Sequence, residues 1–425
     1  MTVNRRRFLG YLGTGAMLAA LPPWHGARAA PARVVVVGGG FGGATCAKYL
    51  RRYDAEIDIT LVEASPQYVT CPGSNWVLGG LRGMADITHS YNGLKARGID
   101  VVAARVQGID AEKRRITLDN GDALAYDRLV VAPGIDFKWN SIEGYDEKAA
   151  EVLPHAYKAG PQTELLRRQL EAMPDGGVVV ISIPGDPFRC PPGPYERASL
   201  IAHYLKTRKP KSKLLLLDTK DKFSKQGLFQ AAWKERYPGM IEWVPGTQGG
   251  KVERIDVDKR TVYTQEGLES HRGDVVNIIC PHHAGTLAHA AGLTDDSGWC
   301  PVNQASFEST IHPNIHVIGD ACIAGAMPKS GHSANNQAKM CAAAIIALLR
   351  EQTVPIPSHV NTCYSLVAPD YGISVAAVYH LKDGNIQAVA GSGGVSPAEA
   401  DANFRRREAL YAEGWYASIV SDSFG

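Results

Sequence analysis

The stretch Val34-Val35-Val36-Val37-Gly38-Gly39-Gly40-Phe41-Gly42-Gly43 constrains this chain more than any other. A β-branched run ends in glycines and opens directly into the helical pattern Ala44-Thr45-Cys46-Ala47-Lys48-Tyr49-Leu50. Consecutive valines read as a strand buried on both faces, as in a parallel sheet. Gly38, Gly40 and Gly43 stand at G-x-G-x-x-G spacing. The first permits a tight turn, the second lets backbone approach a pyrophosphate, and the third lets helix and strand pack closely. The helix start then offers free N–H groups and a positive dipole end to an anion. About twenty residues on, Ile59-Thr60-Leu61-Val62-Glu63 reads as the next strand, with Glu63 placed to hold ribose hydroxyls. Together these features predict a dinucleotide-binding α/β unit.

Ahead of that unit, Asn4-Arg5-Arg6-Arg7-Phe8-Leu9 matches a twin-arginine export pattern. An apolar stretch from Tyr11 to Pro22 follows, then Ala27-Arg28-Ala29 in the small-x-small form of a cleavage site. The apolar stretch is too short for a permanent bilayer anchor. The expectation is a signal peptide over residues 1–29 and a mature chain from about Ala30, located in a periplasm. An ordinary secretory signal with an incidental arginine pair is the alternative.

With 425 residues, the chain is too long for one core. Its formal net charge of +2 and the lack of a basic, aromatic-studded stripe argue against nucleic acid. No later apolar window is long enough for a transmembrane segment in the mature chain. Cysteines stand at 46, 71, 190, 280, 300, 322, 341 and 363, without C-x-x-C or C-x-x-C-H spacing. A zinc ribbon, a local redox pair and covalent haem on this chain are therefore not expected. His316 and His332 lack metal-ligand spacing, and no metal is assigned.

The expected fold class is α/β, with two Rossmann-like units and a C-terminal α+β domain over 351–425 that ends in a helix from near Ala398 to Val420. The first unit is discontinuous, over 30–150 and 273–350. Its strands are read at Val101–Ala104, Arg115–Leu118, Ala123–Tyr126 and Arg128–Gly134, with a hairpin turn at Asp119–Asp122. Its second part takes Val275–Ile279 and Ile315–Ala321. The latter ends in Gly319-Asp320 and resembles a second flavin signature, with Asp320 bonding a ribityl hydroxyl, so the expected dinucleotide is FAD. The N-terminus of a helix from Gly331 to Leu349 is expected to face the growing negative charge of a reduced flavin. The second unit, 151–272, contains a strand at Gly177–Ile183. It then runs into Pro184-Gly185-Asp186-Pro187-Phe188-Arg189-Cys190-Pro191-Pro192-Gly193-Pro194, where prolines remove the donors a pyrophosphate needs. That unit reads as a nucleotide-binding fold without a nucleotide.

The segments Tyr68-Val69-Thr70-Cys71, Pro187–Ser199, His316–Cys322, Met327–Gly331 and Asn361-Thr362-Cys363-Tyr364-Ser365 resemble the flavoprotein subunits of flavocytochrome c sulfide dehydrogenases. These belong with sulfide:quinone reductases among the disulfide-reductase-like flavoproteins. The resemblance implies FAD covalently bound at Cys71 and a redox disulfide between Cys190 and Cys363. It implies that hydrosulfide attacks this disulfide, that two electrons pass to FAD, and that they pass singly to haem c on a separate partner chain. The product is zero-valent sulfur or polysulfide. Cys71 stands here before Pro72-Gly73-Ser74-Asn75, a departure from the bulkier residues expected of the family. Glu196 is a candidate proton acceptor; an ion pair with Arg197 or a surface position is the alternative. Lys329 is a candidate for stabilising reduced flavin. Cys46, Cys280, Cys300, Cys322 and Cys341 are expected in the core, and a Cys280–Cys300 disulfide is also permitted. The rival functional readings are a sulfide:quinone oxidoreductase, an NADH-linked reductase and a non-catalytic flavin-bearing partner.

Overall fold

The computed structural model describes residues 30–425. The twin-arginine pattern, the apolar stretch and the Ala27-Arg28-Ala29 site lie outside the described residues. The glycine turn joins β1 (Arg33–Val37) to α1 (Phe41–Tyr53), and the chain continues through β2 (Asp58–Glu63), β3 (Asp100–Ala103) and β4 (Arg128–Val131). A second series comprises α2 (Pro161–Ala172), β5 (Val178–Ile183), α3 (Gly193–Arg208), β6 (Lys213–Asp218), α4 (Gln226–Arg236), β7 (Ile241–Val244) and β8 (Val275–Ile278). Then come β9 (Ile315–Val317), α5 (Gly331–Leu349), β10 (Ser358–Ala368), β11 (Tyr371–Lys382), β12 (Asn385–Ala388) and α6 (Ala402–Phe424).

The first sheet is parallel, in the order β9-β4-β1-β2-β3. Val34 to Val37 are all buried at its centre, as an all-apolar strand between two layers must be. The Arg115–Leu118 and Ala123–Ala125 strands pair as the expected hairpin. The second sheet is also parallel, in the order β7-β6-β5-β8. The C-terminal strands β10, β11 and β12 form an antiparallel sheet.

Two sequence expectations need correction. Val275–Ile278 pairs with β5, not with the first sheet. The second unit therefore runs past 272, and the chain returns to the first sheet only afterwards. An apolar strand suits either parallel sheet, so its pairing was not readable from its residues. The closing helix starts at Ala402, not near Ala398. Its start is set by Asp401, whose side chain accepts from the Phe404 N–H at 2.7 Å.

Residues 32–425 form one compact unit. A single apolar cluster joins the β1 valines, Val179 to Ile181 of β5, and Ala338 and Ile345 of α5. The α1 and α5 helices meet through small buried residues, including Ala44, Ala47, Ala338 and Ala342. α6 folds back over α1, where Phe424 packs against Phe41, Tyr68 and His89. Among the described residues no helix is long and apolar enough to cross a membrane.

Candidate active site

The glycine turn is built on close approaches. Gly38 has φ +98°, and a Cβ there would lie 2.3 Å from the Ala132 carbonyl oxygen. A Cβ at Gly43 would lie 1.8 Å from the Gly38 carbonyl oxygen. Gly43 is thus a packing residue behind the turn, while Gly38 and Gly40 line the cleft beside it. That cleft has a volume of about 970 Å³ and is also lined by Glu63, Cys71, Gly319 and Asp320. The Glu63 carboxylate is anchored by the N–H groups of Gly39 (2.7 Å) and Ser65 (3.0 Å).

Asp320 is buried, and its Oδ1 has no hydrogen-bond partner. Burial raises its pKa, opposed by Arg189 and Lys329. A buried acceptor without a donor is costly, and a ribityl hydroxyl would supply one. The helix start, the close backbone and the unmet Asp320 oxygen fit a flavin dinucleotide. The Lys329 ammonium, by contrast, donates to the carbonyl oxygens of Asp320 (2.8 Å) and Cys322 (2.9 Å) and lies over the Trp299 ring. It lines a separate cavity beside Pro191 and Trp299. Its expected position at the flavin is therefore corrected: backbone carbonyls and an aromatic face hold the charge elsewhere.

A second cavity, of about 810 Å³, shares Cys71, Pro72, Arg189 and Gly331 with the cleft. Its walls include Cys190, Cys363, Glu196 and His332. Three parts of the fold supply these groups. Cys71 precedes the short helix Ser74–Leu78, Cys190 lies in the proline-rich loop after β5, and Cys363 sits on β10 opposite Val375. The eight cysteines are free thiols in this structure, so Cys190 and Cys363 stand as a dithiol facing one cavity.

Cys190 is held firmly. Its φ is +56°, a conformation costly for a non-glycine residue. Its N–H donates to the Lys329 carbonyl at 2.7 Å, and its own carbonyl accepts from the Tyr157 hydroxyl at 3.2 Å. Burial pushes the Cys190 thiol pKa up, and Cys363 and Glu196 push it further. Burial also raises Cys363, but Lys225 opposes that rise.

Glu196 is neither a surface residue nor an ion pair with Arg197. Its carboxylate accepts from Asn75 Nδ2 (2.9 Å), the Leu366 N–H (2.9 Å) and Trp76 Nε1 (3.3 Å). Burial still raises its pKa. Arg197 is fully buried and donates to Asn277 Oδ1 (2.8 Å), the His155 carbonyl (3.0 Å) and Asn75 Oδ1 (3.1 Å). It ties the second sheet to the wall of the cavity.

In the second unit the corresponding acid is already engaged by protein side chains. In such a fold the acid ending the second strand meets the ribose. Here that acid, Asp218, is fully buried and occupied by Tyr195, Trp243 and Lys220. The Cys280 thiol donates to the Lys138 carbonyl at 3.2 Å, while Cys300 is bridged through backbone to Cys322. The structure thus gives Cys280 and Cys300 different neighbours. Both are buried, as are Cys46, Cys322 and Cys341. Among the described residues no cluster of His, Cys, Asp or Glu could hold a metal.

Arg189, Arg197, Lys225, Tyr157, Asn75 and His332 were not read as site residues from the sequence. Arg189 adjoins Cys190 and had a local signal. Lys225 had none, because only the tertiary fold brings it to Cys363.

The fold and cleft define a flavoprotein with two Rossmann-like units. Comparison with known proteins agrees. Residues 163–280 match the family model for the central part of the sulfide dehydrogenase [flavocytochrome c] flavoprotein chain. Residues 355–424 match the flavin-binding model of flavocytochrome c sulphide dehydrogenase, and 32–180 match pyridine nucleotide-disulphide oxidoreductases. The flavoprotein chain of sulfide dehydrogenase [flavocytochrome c] from Chlorobaculum thiosulfatiphilum is 67% identical over 45 residues, 11% of this chain and 94% of that sequence. Mitochondrial sulfide:quinone oxidoreductase of Mus musculus is 23% identical over 299 residues, covering 68% of this chain and 65% of that protein. This chain therefore spans about two thirds of the mouse relative's length. The Aquifex aeolicus sulfide:quinone oxidoreductase structure aligns with TM-score 0.71 at 18% identity, covering 92% of each chain. The chain belongs to the flavocytochrome c sulfide dehydrogenase flavoprotein family.

Proposed function

We propose that this chain is an exported, FAD-dependent sulfide dehydrogenase that passes electrons to a haem c partner. One observation carries the reading: Cys190 and Cys363, far apart in sequence, line one cavity that shares the wall of Cys71, Pro72, Arg189 and Gly331 with the dinucleotide cleft. Bound FAD supplies a two-electron acceptor that returns electrons one at a time. Gly38, Gly40, Glu63, Gly319 and Asp320 hold it, and the Cys71 thiol, on the shared wall of both cavities, attaches it covalently.

The remaining chemistry belongs to side chains. In the working oxidised state Cys190 and Cys363 form a disulfide. Hydrosulfide enters the cavity and attacks one of these sulfurs, forming a persulfide and releasing the other as thiolate. Desolvation by the enclosed wall strengthens the nucleophile. Glu196, with its pKa raised by burial, accepts the proton of the incoming sulfur species. The low-dielectric wall around it keeps that carboxylate basic enough for the task.

The acceptor distinguishes this reading from a sulfide:quinone oxidoreductase, which the similarity to such enzymes keeps in view. Anaerobic holoprotein should bleach on adding sulfide and recover its yellow colour with a soluble c-type cytochrome. Recovery with a short-chain quinone alone moves the assignment to the quinone-linked reading. Bleaching by NADH returns the chain to the NADH-linked reading, which the occupied Asp218 disfavours.

Glu196→Gln should lower the sulfide-dependent rate by about 10²-fold, within the range for one general base. Wild-type rate should rise with pH through the raised Glu196 pKa, and the variant should lose that limb. A rate-versus-pH comparison on the same sulfide solutions checks this, since the ionisation of sulfide is common to both. Acid denaturation should leave flavin on the wild-type Cys71 peptide and release it from Cys71→Ser, as read by peptide mass. Freely released flavin in the wild type contradicts covalent attachment.

A further inference from the structure

Lys225 is 7% exposed and has φ +61°, at the residue preceding α4. A lysine in the left-handed region costs backbone strain, and a buried ammonium gives up its hydration. Its Nζ donates to Ser365 Oγ at 2.8 Å and to the Cys363 carbonyl at 3.3 Å, and lies 5.7 Å from the Phe229 ring centroid. Among the described residues it forms no salt bridge with a carboxylate. The titratable groups that face it are Cys363 first, then Glu196, Cys190 and Glu408. The ammonium is thus buried against a residue that is neutral as a thiol and negative as a thiolate.

The two redox cysteines are not equivalent beside it. For Cys363, Lys225 is the largest influence opposing burial, and Asn361 Nδ2 reaches its Sγ at 3.6 Å. For Cys190, burial, Cys363 and Glu196 all disfavour the thiolate ahead of the weaker help from Lys225. Tyr379, on β11, also faces Cys363. In thiol–disulfide exchange the sulfur that leaves faster is the one whose thiolate is better stabilised.

We infer that Lys225 fixes the direction of attack: hydrosulfide bonds to Cys190 Sγ, and Cys363 leaves as a thiolate held by the buried ammonium. The exchange balances without an outside oxidant. HS⁻ and the Cys190–Cys363 disulfide give a Cys190 persulfide and a Cys363 thiolate; one S–S bond breaks and one forms. This rests on the sulfide reading above, with Lys225 as a positioning residue acting through Cys363.

The test uses reduced holoprotein without sulfide. Iodoacetamide alkylation of Cys190 and Cys363 is followed against pH by peptide mass. The Cys363 rate should have its midpoint at least one pH unit below that of Cys190, equivalent to about tenfold more thiolate. Lys225→Gln should move the Cys363 midpoint up by at least that amount, and Lys225→Arg should restore it. Equal midpoints, a lower one at Cys190, or no movement in a Lys225→Gln protein that retains flavin would overturn the inference. The wild-type comparison decides the matter even if the variants fail to fold. A second arm adds one equivalent of sulfide to oxidised holoprotein, followed by acid quench before the flavin bleaches. Persulfide on the Cys190 peptide supports the inference, and persulfide on the Cys363 peptide overturns it. Persulfide on neither, with no bleaching of an unquenched portion, overturns the sulfide reading on which the inference stands, a failure recognisable because the alkylation midpoints are independent of sulfide.

Discussion

Cys190→Ser and Cys363→Ser should each reduce sulfide-dependent bleaching by about 10³-fold or more, about 4 kcal/mol in barrier, while leaving the flavin bound. The cavity holds both thiols on one wall system, and neither makes the exchange alone. A serine hydroxyl cannot form the disulfide, so hydrosulfide has no sulfur to attack. The double variant should be little worse than either single one, because residues that act as a unit do not contribute additively. Flavin should remain, since the turn glycines, Glu63 and Asp320 lie on the other side of the shared wall. Stopped-flow mixing of anaerobic holoprotein with sulfide checks this at the flavin absorbance band. Near-normal bleaching in either variant would remove the dithiol from the mechanism and leave it a clamp between domains.

Gly43→Ala should cost at least about 3 kcal/mol of stability and yield protein largely without flavin. Added methylenes in well-packed cores already cost about 1–3 kcal/mol. Here the new Cβ would meet a backbone carbonyl at 1.8 Å, which cannot rotate away as a side chain does. Relief requires α1 to move off β1, and that opens the turn whose N–H groups face the cleft. Thermal denaturation and the flavin-to-protein absorbance ratio measure both effects. A Gly43→Ala protein with normal melting and full flavin would show that the helix can shift without penalty. Gly134→Ala is a useful contrast in space alone, because nothing lies within 4 Å of a Cβ there, although its φ of +66° still disfavours a side chain.

The first sheet and its cofactor cleft were legible because they are local. The valine strand, the glycine spacing and Glu63 all fall within a short stretch, and each residue has a physical task there. Glu63 serves partly through its bonds to Gly39 and Ser65. The proline-rich loop after β5 was readable in the sequence, but the surroundings of Asp218 were not. Asp218 is consumed by Tyr195 and Trp243, contacts that span helices and strands. The convergence of Cys190 and Cys363 was expected only through family resemblance, since nothing in their spacing pairs them. Lys329 misled because a lysine before a flavin-facing helix has two polar environments within reach. The carbonyls of Asp320 and Cys322 took it. Glu196 was a candidate from the sequence and lines the cavity with Cys190 and Cys363, yet its partners Asn75, Trp76 and Leu366 come from two other segments. Long-range contacts of this kind leave no periodic trace.

The most direct test of the account is to map the linkage between Cys190 and Cys363 before and after sulfide. Oxidised holoprotein should give one cross-linked peptide containing both cysteines. One equivalent of sulfide under anaerobic conditions, quenched before the flavin bleaches, should convert that peptide into one persulfide and one free thiol. Bleaching while both cysteines remain alkylatable thiols from the start would contradict the central claim that sulfide oxidation runs through this pair.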